Sequence, residues 1–103
     1  MTFKQRARLD GNYPTTHERD FDMYVDTYVN NQWNNIRVSS QHGMVWFSYS
    51  TPIAFQPLGE TLIIRQNDWS ATTGKHLNAI NADKDIRVTG ERFEKLFHKS
   101  KLV

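Results

Sequence analysis

The chain has 103 residues, of which 38% are hydrophobic and 13% aromatic, and it contains no cysteine. This length and composition indicate one folded domain with one modest core, and they exclude a mostly disordered chain. The lack of cysteine excludes disulfides, thiolate nucleophiles, cysteine zinc sites and iron–sulfur clusters, while a net charge of +2 permits nucleic-acid binding without requiring it.

The first two thirds of the chain have the pattern of β-strands. Residues 3–9 alternate apolar and basic side chains, which predicts an N-terminal strand, and a loop follows to residue 19. Short turns then separate apolar or alternating stretches at residues 21–29, 33–40, 44–50, 53–56 and 60–66. Pro52 lacks a backbone donor and is expected to interrupt the ladder. Consecutive strands with tight connections predict an antiparallel meander over residues 20–67.

The last third has helical spacing. Leu77 and Ile80 lie three residues apart after Ser70, and a second helix begins with Thr89 as its N-cap. Residues 68–103 therefore form the helical part of a single domain, after the N-terminal strand and loop of residues 1–19 and the sheet. Strands followed by helices predict an α+β fold with an antiparallel sheet of four to six strands and two C-terminal helices packed on one face.

The stretch "NDWSATTGKHLNAIN", residues 67–81, contains a Gly-Lys pair typical of phosphate-binding loops. A P-loop would require glycine at position 69 and a hydroxyl at position 76, where this chain has Trp69 and His76. Ser70 is instead a good N-cap, with Thr73 in the first turn. Two interpretations remain open: a helix cap with Trp69 packed behind it, or an anion site reinforced by Lys75.

His76 is the histidine with the most chemical interest. It is interpreted either as a structural hydrogen-bonding residue or as the base of a small hydrolase, acting with Asp68 or nearby hydroxyls. The remaining histidines show no metal-ligand spacing. We therefore predict no metal site, no cofactor and no assigned catalytic residue.

Six aromatic side chains fall on adjoining predicted strands: Tyr24, Tyr28, Trp33, Trp46, Phe47 and Tyr49. An exposed aromatic sheet face could stack nucleic-acid bases or form a homodimer contact. No stretch approaches the roughly 18 apolar residues of a membrane helix, and the N-terminus lacks a signal peptide's apolar run. We therefore expect a cytoplasmic protein without membrane association.

The segments "SYSTPIAF" and "WSATTGKHLN" together resemble a small domain of unknown function found in phage, plasmid and other microbial proteins. The resemblance covers roughly residues 20–97, and its most specific part is the set Ser70, Thr72, Thr73 and His76. It implies a viral or mobile-element setting, with the host cytoplasm as location. It brings no established activity or ligand.

These observations predict a non-enzymatic phage or mobile-element accessory protein that binds a host protein or nucleic acid. The alternatives are the hydrolase or nuclease using His76, and a self-associating structural protein. The predicted binding surface joins the start of the first C-terminal helix to the basic second one: Arg65, Trp69, Ser70, Thr72, Thr73, Lys75, His76, Lys95 and Lys99.

Overall fold

The computed structural model describes residues 23–102, so the predicted N-terminal strand and loop lie outside the described residues. Five strands form one antiparallel sheet in chain order. Two α-helices follow, which confirms the α+β meander. The elements are β1 (Met23–Thr27), β2 (Asn35–Ser40), β3 (Gly43–Ser48), β4 (Thr51–Pro57), β5 (Ile63–Ile64), α1 (Ala71–Ile80), a 3₁₀ helix (Lys84–Ile86) and α2 (Gly90–Ser100).

The two helices cover opposite faces of the sheet. Neighbouring residues of a strand point to opposite faces. Trp46 of β3 packs with Leu77 of α1, whereas the adjacent Val45 packs with Phe93 of α2. The expectation that both helices pack on one face is therefore corrected. The central strands are apolar on both faces, so each face requires its own cover.

The start of α2 is fixed by its cap and by the sheet. The side chain of Thr89 accepts a hydrogen bond from the Arg92 amide at 3.3 Å. Val88 packs in the same apolar cluster as Phe93. Its amide also donates to the Ile64 carbonyl at 2.9 Å, so this segment lies parallel to the end of β5. The helix therefore begins beside the point where the sheet ends.

Pro52 lies inside β4, although it was expected to interrupt the ladder. Trp46 pairs with Ala54 while Phe47 pairs with Pro52, which leaves Ile53 as an extra residue in β4. This register shift is a β-bulge, one of the places where a sheet tolerates proline. The bulge also brings both Ile53 and Ala54 into the core beneath α1.

The meander places alternate connections at opposite ends of the sheet. At one end the Tyr49 amide donates to the Asn34 carbonyl at 2.9 Å, and Trp69 lies beside Tyr49 in one cleft. We call this the motif end, defined by Asn34, Tyr49 and Trp69. At the other end the Leu58 amide bonds to the His42 carbonyl. In residues 23–102 no helix is long and apolar enough to cross a membrane.

Candidate functional site

The two sequence motifs meet in a buried hydrogen-bond network. The Ser48 hydroxyl lies 2.7 Å from His76 Nδ1 and 3.1 Å from the Thr73 hydroxyl. Ser48 ends β3, while Thr73 and His76 are three residues apart and share one face of α1. The three residues are 3%, 4% and 2% exposed respectively. The network therefore joins the β3–β4 hairpin to α1.

His76 is held in its neutral form. Burial lowers the pKa of the imidazole below its ordinary value. A neutral imidazole nitrogen can accept from the Ser48 hydroxyl, which can in turn accept from Thr73. The Tyr28 ring contacts the imidazole edge-on at 6.0 Å between centroids, and its hydroxyl donates to the Phe47 carbonyl. The surroundings of His76 are thus those of a structural hydrogen-bonding residue.

The lowered pKa of His76 predicts a stability loss in mild acid. The unfolded chain binds a proton near the ordinary histidine pKa of about 6.5, whereas the folded chain binds it only at lower pH. The stability that neutral His76 contributes is therefore fully present above the unfolded-state pKa of about 6.5. It is lost as the pH falls from there towards the folded-state pKa, by at most about 1.4 kcal/mol per pH unit. Urea unfolding at about pH 7.5 and about pH 5.5 brackets the histidine pKa and measures the difference.

His76→Gln should lack this component of the pH dependence, whereas His42→Gln should retain it because His42 is exposed. An identical pH dependence in the wild type and His76→Gln would contradict the assignment.

A cleft of about 290 Å³ opens beside the network at the motif end. We call it the aromatic cleft, and it is lined by Ser48, Tyr49, Thr51, Ile53, Trp69, Ser70 and Thr73. None of these side chain types is ionised at neutral pH. Tyr49 and Trp69 are nevertheless 56% and 48% exposed, which is unusual for such large rings. The cleft therefore presents two aromatic rings and several hydroxyls without charge.

Tyr49 adopts a backbone conformation that tyrosine rarely takes. Its φ angle is 57°, in the left-handed region, where a non-glycine residue costs roughly 1–2 kcal/mol. The hydrogen bond from its amide to Asn34 holds this conformation. The ring is 56% exposed, and it also lies against the His76 ring with 6.2 Å between the centroids. Ser48 pairs with Thr51, so Tyr49 belongs to a two-residue hairpin turn, which favours a positive φ at this position.

Arg65 orients Trp69 and does not present a free charge. The guanidinium carbon lies 4.4 Å from the centre of the Trp69 ring and 5.5 Å from that of Phe93. The same group contacts Asp68 and Glu94, each at 3.3 Å. Arg65 is 8% exposed and does not line the cleft, and the two carboxylates neutralise its charge.

The structure brings together four of the predicted site residues on α1 and just before it. Trp69, Ser70 and Thr73 line the aromatic cleft, and His76 lies beneath it. Ser70 is the N-cap, and its side chain accepts from the Thr73 amide at 3.4 Å. Thr72 is half-buried and does not line the cleft.

The predicted lysines do not form one surface with this site. Lys75 is exposed on α1 and does not line the cleft. Lys95 and Lys99 are on α2, which covers the other face of the sheet. Lys99 lies beside Pro57 and Glu60, at the end of the sheet opposite the motif end. The basic residues are therefore divided between two faces.

The aromatic residues predicted on a sheet face are mostly covered. Trp46 is 8% exposed beneath α1, and Phe47 packs in the cluster beneath α2. The prominent exposed aromatics of the described residues are instead Trp33, Tyr49 and Trp69. Self-association through a sheet face remains a prediction, which light scattering tests.

Four cleft residues were not among the predicted site residues: Ser48, Tyr49, Thr51 and Ile53. All four belong to the segment "SYSTPIAF", so the motif itself was the signal that could have found them. Within residues 23–102, no group of three or more histidine, aspartate or glutamate side chains could hold a metal ion.

The chain belongs to a family described as a family of unknown function (DUF8033), whose match covers residues 4–95. This agrees with the small domain of unknown function that the two motifs resemble. No curated protein and no solved structure matched the chain. The family description assigns no activity, so function is argued from the cleft.

Proposed function

We propose that this family member is a non-enzymatic accessory protein that encloses an uncharged apolar side chain of a partner protein in the aromatic cleft. The observation that carries the proposal is the pair of exposed rings, Tyr49 and Trp69, on the walls of a cleft without ionised groups. Tryptophan and tyrosine dominate the binding energy of protein interfaces. The hydroxyls of Ser70 and Thr73 supply hydrogen bonds that orient the occupant.

Charge favours a protein over a nucleic acid as the partner. Every nucleotide brings a phosphate, and proteins that bind single strands meet it with lysine and arginine. Here Arg65 is bonded to Asp68 and Glu94, and Lys75 does not line the cleft. An uncharged cleft therefore suits an aliphatic or aromatic side chain.

The neighbouring turn extends the proposed contact surface. Trp33 is 61% exposed and precedes Asn34, whose carbonyl accepts the hydrogen bond from the Tyr49 amide. The partner would thus meet Trp33 at the edge and the cleft at the centre. In the phage or mobile-element setting that the motif resemblance implies, the partner would be a protein of the host cytoplasm.

Tyr49→Asn tests the proposal without disturbing the fold. Asparagine tolerates the left-handed conformation better than tyrosine, and this gain opposes the loss of the ring contact with His76, so stability should change by less than about 1 kcal/mol. Loss of the ring should weaken partner binding about 30-fold or more, the effect of a contact worth about 2 kcal/mol. The partner is first captured from host lysate, and its Kd is then measured with purified proteins by calorimetry.

Leu58→Asn is the matched control, because Leu58 is 74% exposed at the other end of the sheet. Its Kd should equal that of the wild type. An unchanged Kd for Tyr49→Asn would contradict the proposal. If the protein instead binds a single-stranded oligonucleotide, and this binding weakens steeply with salt and in Lys75→Gln, the partner is a nucleic acid and not a protein.

One observation favours hydrolysis as a second candidate function. The Ser48 hydroxyl lies 2.7 Å from His76 Nδ1, the distance expected between a nucleophile and its base. Asp68 is bonded to Arg65 and Gln66, so the version that uses Asp68 has less support than one that uses Ser48. A fluorophosphonate probe distinguishes the two functions. The binding proposal predicts no labelling, whereas labelling of Ser48 that His76→Gln abolishes would establish a hydrolase.

A further inference from the structure

We propose that a second cleft, between α1 and the 3₁₀ helix, binds the phosphate group of a small molecule through Arg87 and Lys84. We call it the polar cleft; its volume is about 280 Å³, and it is lined by Gln66, Asn67, Gly74, Asn78, Lys84 and Arg87. The two ionisable side chains in this lining are both cations, and the remaining side chains are amides. This site is separate from the aromatic cleft and its proposed partner.

Arg87 is half-buried and has no anionic partner among the described residues. Its Nη2 donates to Asn78 Oδ1 at 2.9 Å and to the Asn81 carbonyl at 3.1 Å, both neutral acceptors. Its Nε is buried and has no acceptor. No carboxylate of residues 23–102 forms an ion pair with Arg87. A partly buried cation normally has a counter-charge, so Arg87 is suited to bind an anion from solution.

In the described part of the chain, the other two arginines that are not fully exposed show the usual arrangement. Arg37 forms an ion pair with Asp26 across β1 and β2, and Arg65 contacts Asp68 and Glu94. The Nε of Arg65 also lacks an acceptor, so that feature alone does not mark a site. Arg87 differs because no carboxylate of residues 23–102 neutralises its charge.

The end of α1 explains only part of the position of Arg87. A cation is favoured near the C-terminal carbonyls of a helix, and the bond to Asn81 has this origin. That bond uses Nη2, while Nη1 takes part in no hydrogen bond within the described residues. Nη1 is therefore available to donate a hydrogen bond to a ligand in the cleft that Arg87 lines.

The donors of the polar cleft suit a phosphate group. The Nη1 group of Arg87 can donate to phosphate oxygens, and the ammonium of Lys84 adds a point charge. Asn78 accepts from Arg87 through Oδ1, which leaves its amide nitrogen as a further donor. Asp83 and Asp85 flank Lys84 in sequence but do not line the cleft. Because their negative charge repels phosphate, we expect weak binding of inorganic phosphate alone, with a Kd of about 1–10 mM.

The probe for this site is inorganic phosphate, added to ¹⁵N-labelled full-length protein at constant pH and ionic strength. We expect saturable shifts of the Gly74, Asn78 and Arg87 amide signals. Arg87→Gln should abolish saturation. Because Arg87 also supports the end of α1, Lys84→Gln provides a second variant that leaves those bonds intact, and it should weaken binding about tenfold.

Lys95→Gln is the matched control, since Lys95 is exposed on α2 against the other face of the sheet. It should bind phosphate as the wild type does. Linear shifts that Lys84→Gln leaves unchanged would overturn the proposal. Acetate that saturates the same signals with equal affinity would overturn the preference for phosphate.

Discussion

Replacement of Gly43 by alanine is expected to destabilise the protein by about 4 kcal/mol, since backbone strain and overpacking each cost roughly 1–3 kcal/mol. Gly43 begins β3 with a φ angle of +142°, a value that residues other than glycine rarely adopt. An added Cβ would lie 2.8 Å from Pro57 Cα and closer still to the Gln56 carbonyl oxygen. Both atoms belong to the backbone of the paired strand β4, so they cannot move without disrupting the ladder.

Gly59→Ala is the matched control for this prediction. Gly59 has a φ angle of +78°, but an added Cβ would have no atom within 4 Å. Alanine there adds strain of about 1–2 kcal/mol without a clash. Urea unfolding of both variants compares the two costs. Equal losses of unfolding free energy would contradict the close approach of β3 and β4 at Gly43.

Asn35→Ala is expected to cost about 3 kcal/mol and to disorder the β1–β2 turn that carries Trp33. Asn35 is fully buried at the start of β2. Its Oδ1 accepts hydrogen bonds from the backbone amides of Tyr28, Val29 and Asn30. Its Nδ2 donates to the side-chain oxygens of Asn30 and Asn34 and to the carbonyl of Gln32. Removing the amide leaves these groups without their partner, and each such loss in a buried position costs roughly 1–3 kcal/mol.

Asn31→Ala is the control within the same turn, because Asn31 is exposed and should change stability by less than about 0.5 kcal/mol. Hydrogen exchange of the Val29 and Asn30 amides should accelerate in Asn35→Ala and stay slow in Asn31→Ala. Unchanged exchange and stability in Asn35→Ala would show that the turn does not depend on Asn35.

The sheet was predictable because its signals are local. Period-two alternation and turn residues identified the strands, and Thr89 identified the start of α2. The faces covered by the helices were not predictable in the same way. Val45 and Trp46 are both apolar, so the pattern of β3 does not indicate which helix covers which side.

The candidate site was predictable only in part. Ser70 as the cap of α1 follows from the residues beside it. The contact between Ser48 and His76 joins residues 28 positions apart, and no periodic pattern reports such a contact. Arg65 was assigned to a basic surface because the sequence shows its charge but not its carboxylate partners.

The two proposed sites can be tested independently. Asn67 lines the polar cleft, whereas Trp69 and Ser70 line the aromatic cleft, so the segment before α1 separates them. Tyr49→Asn should therefore leave phosphate binding unchanged, and Lys84→Gln should leave partner binding unchanged. Failure of one proposal does not decide the other.

The most direct test of the central claim is an NMR titration of ¹⁵N-labelled protein with N-acetyl-phenylalaninamide, an uncharged analogue of a partner side chain. The proposal predicts saturable shifts of the Tyr49, Thr51 and Thr73 amide signals, none at Leu58, and loss of these shifts in Tyr49→Asn. Absence of saturable shifts at the cleft, with a single-stranded oligonucleotide shifting the same signals, would contradict it.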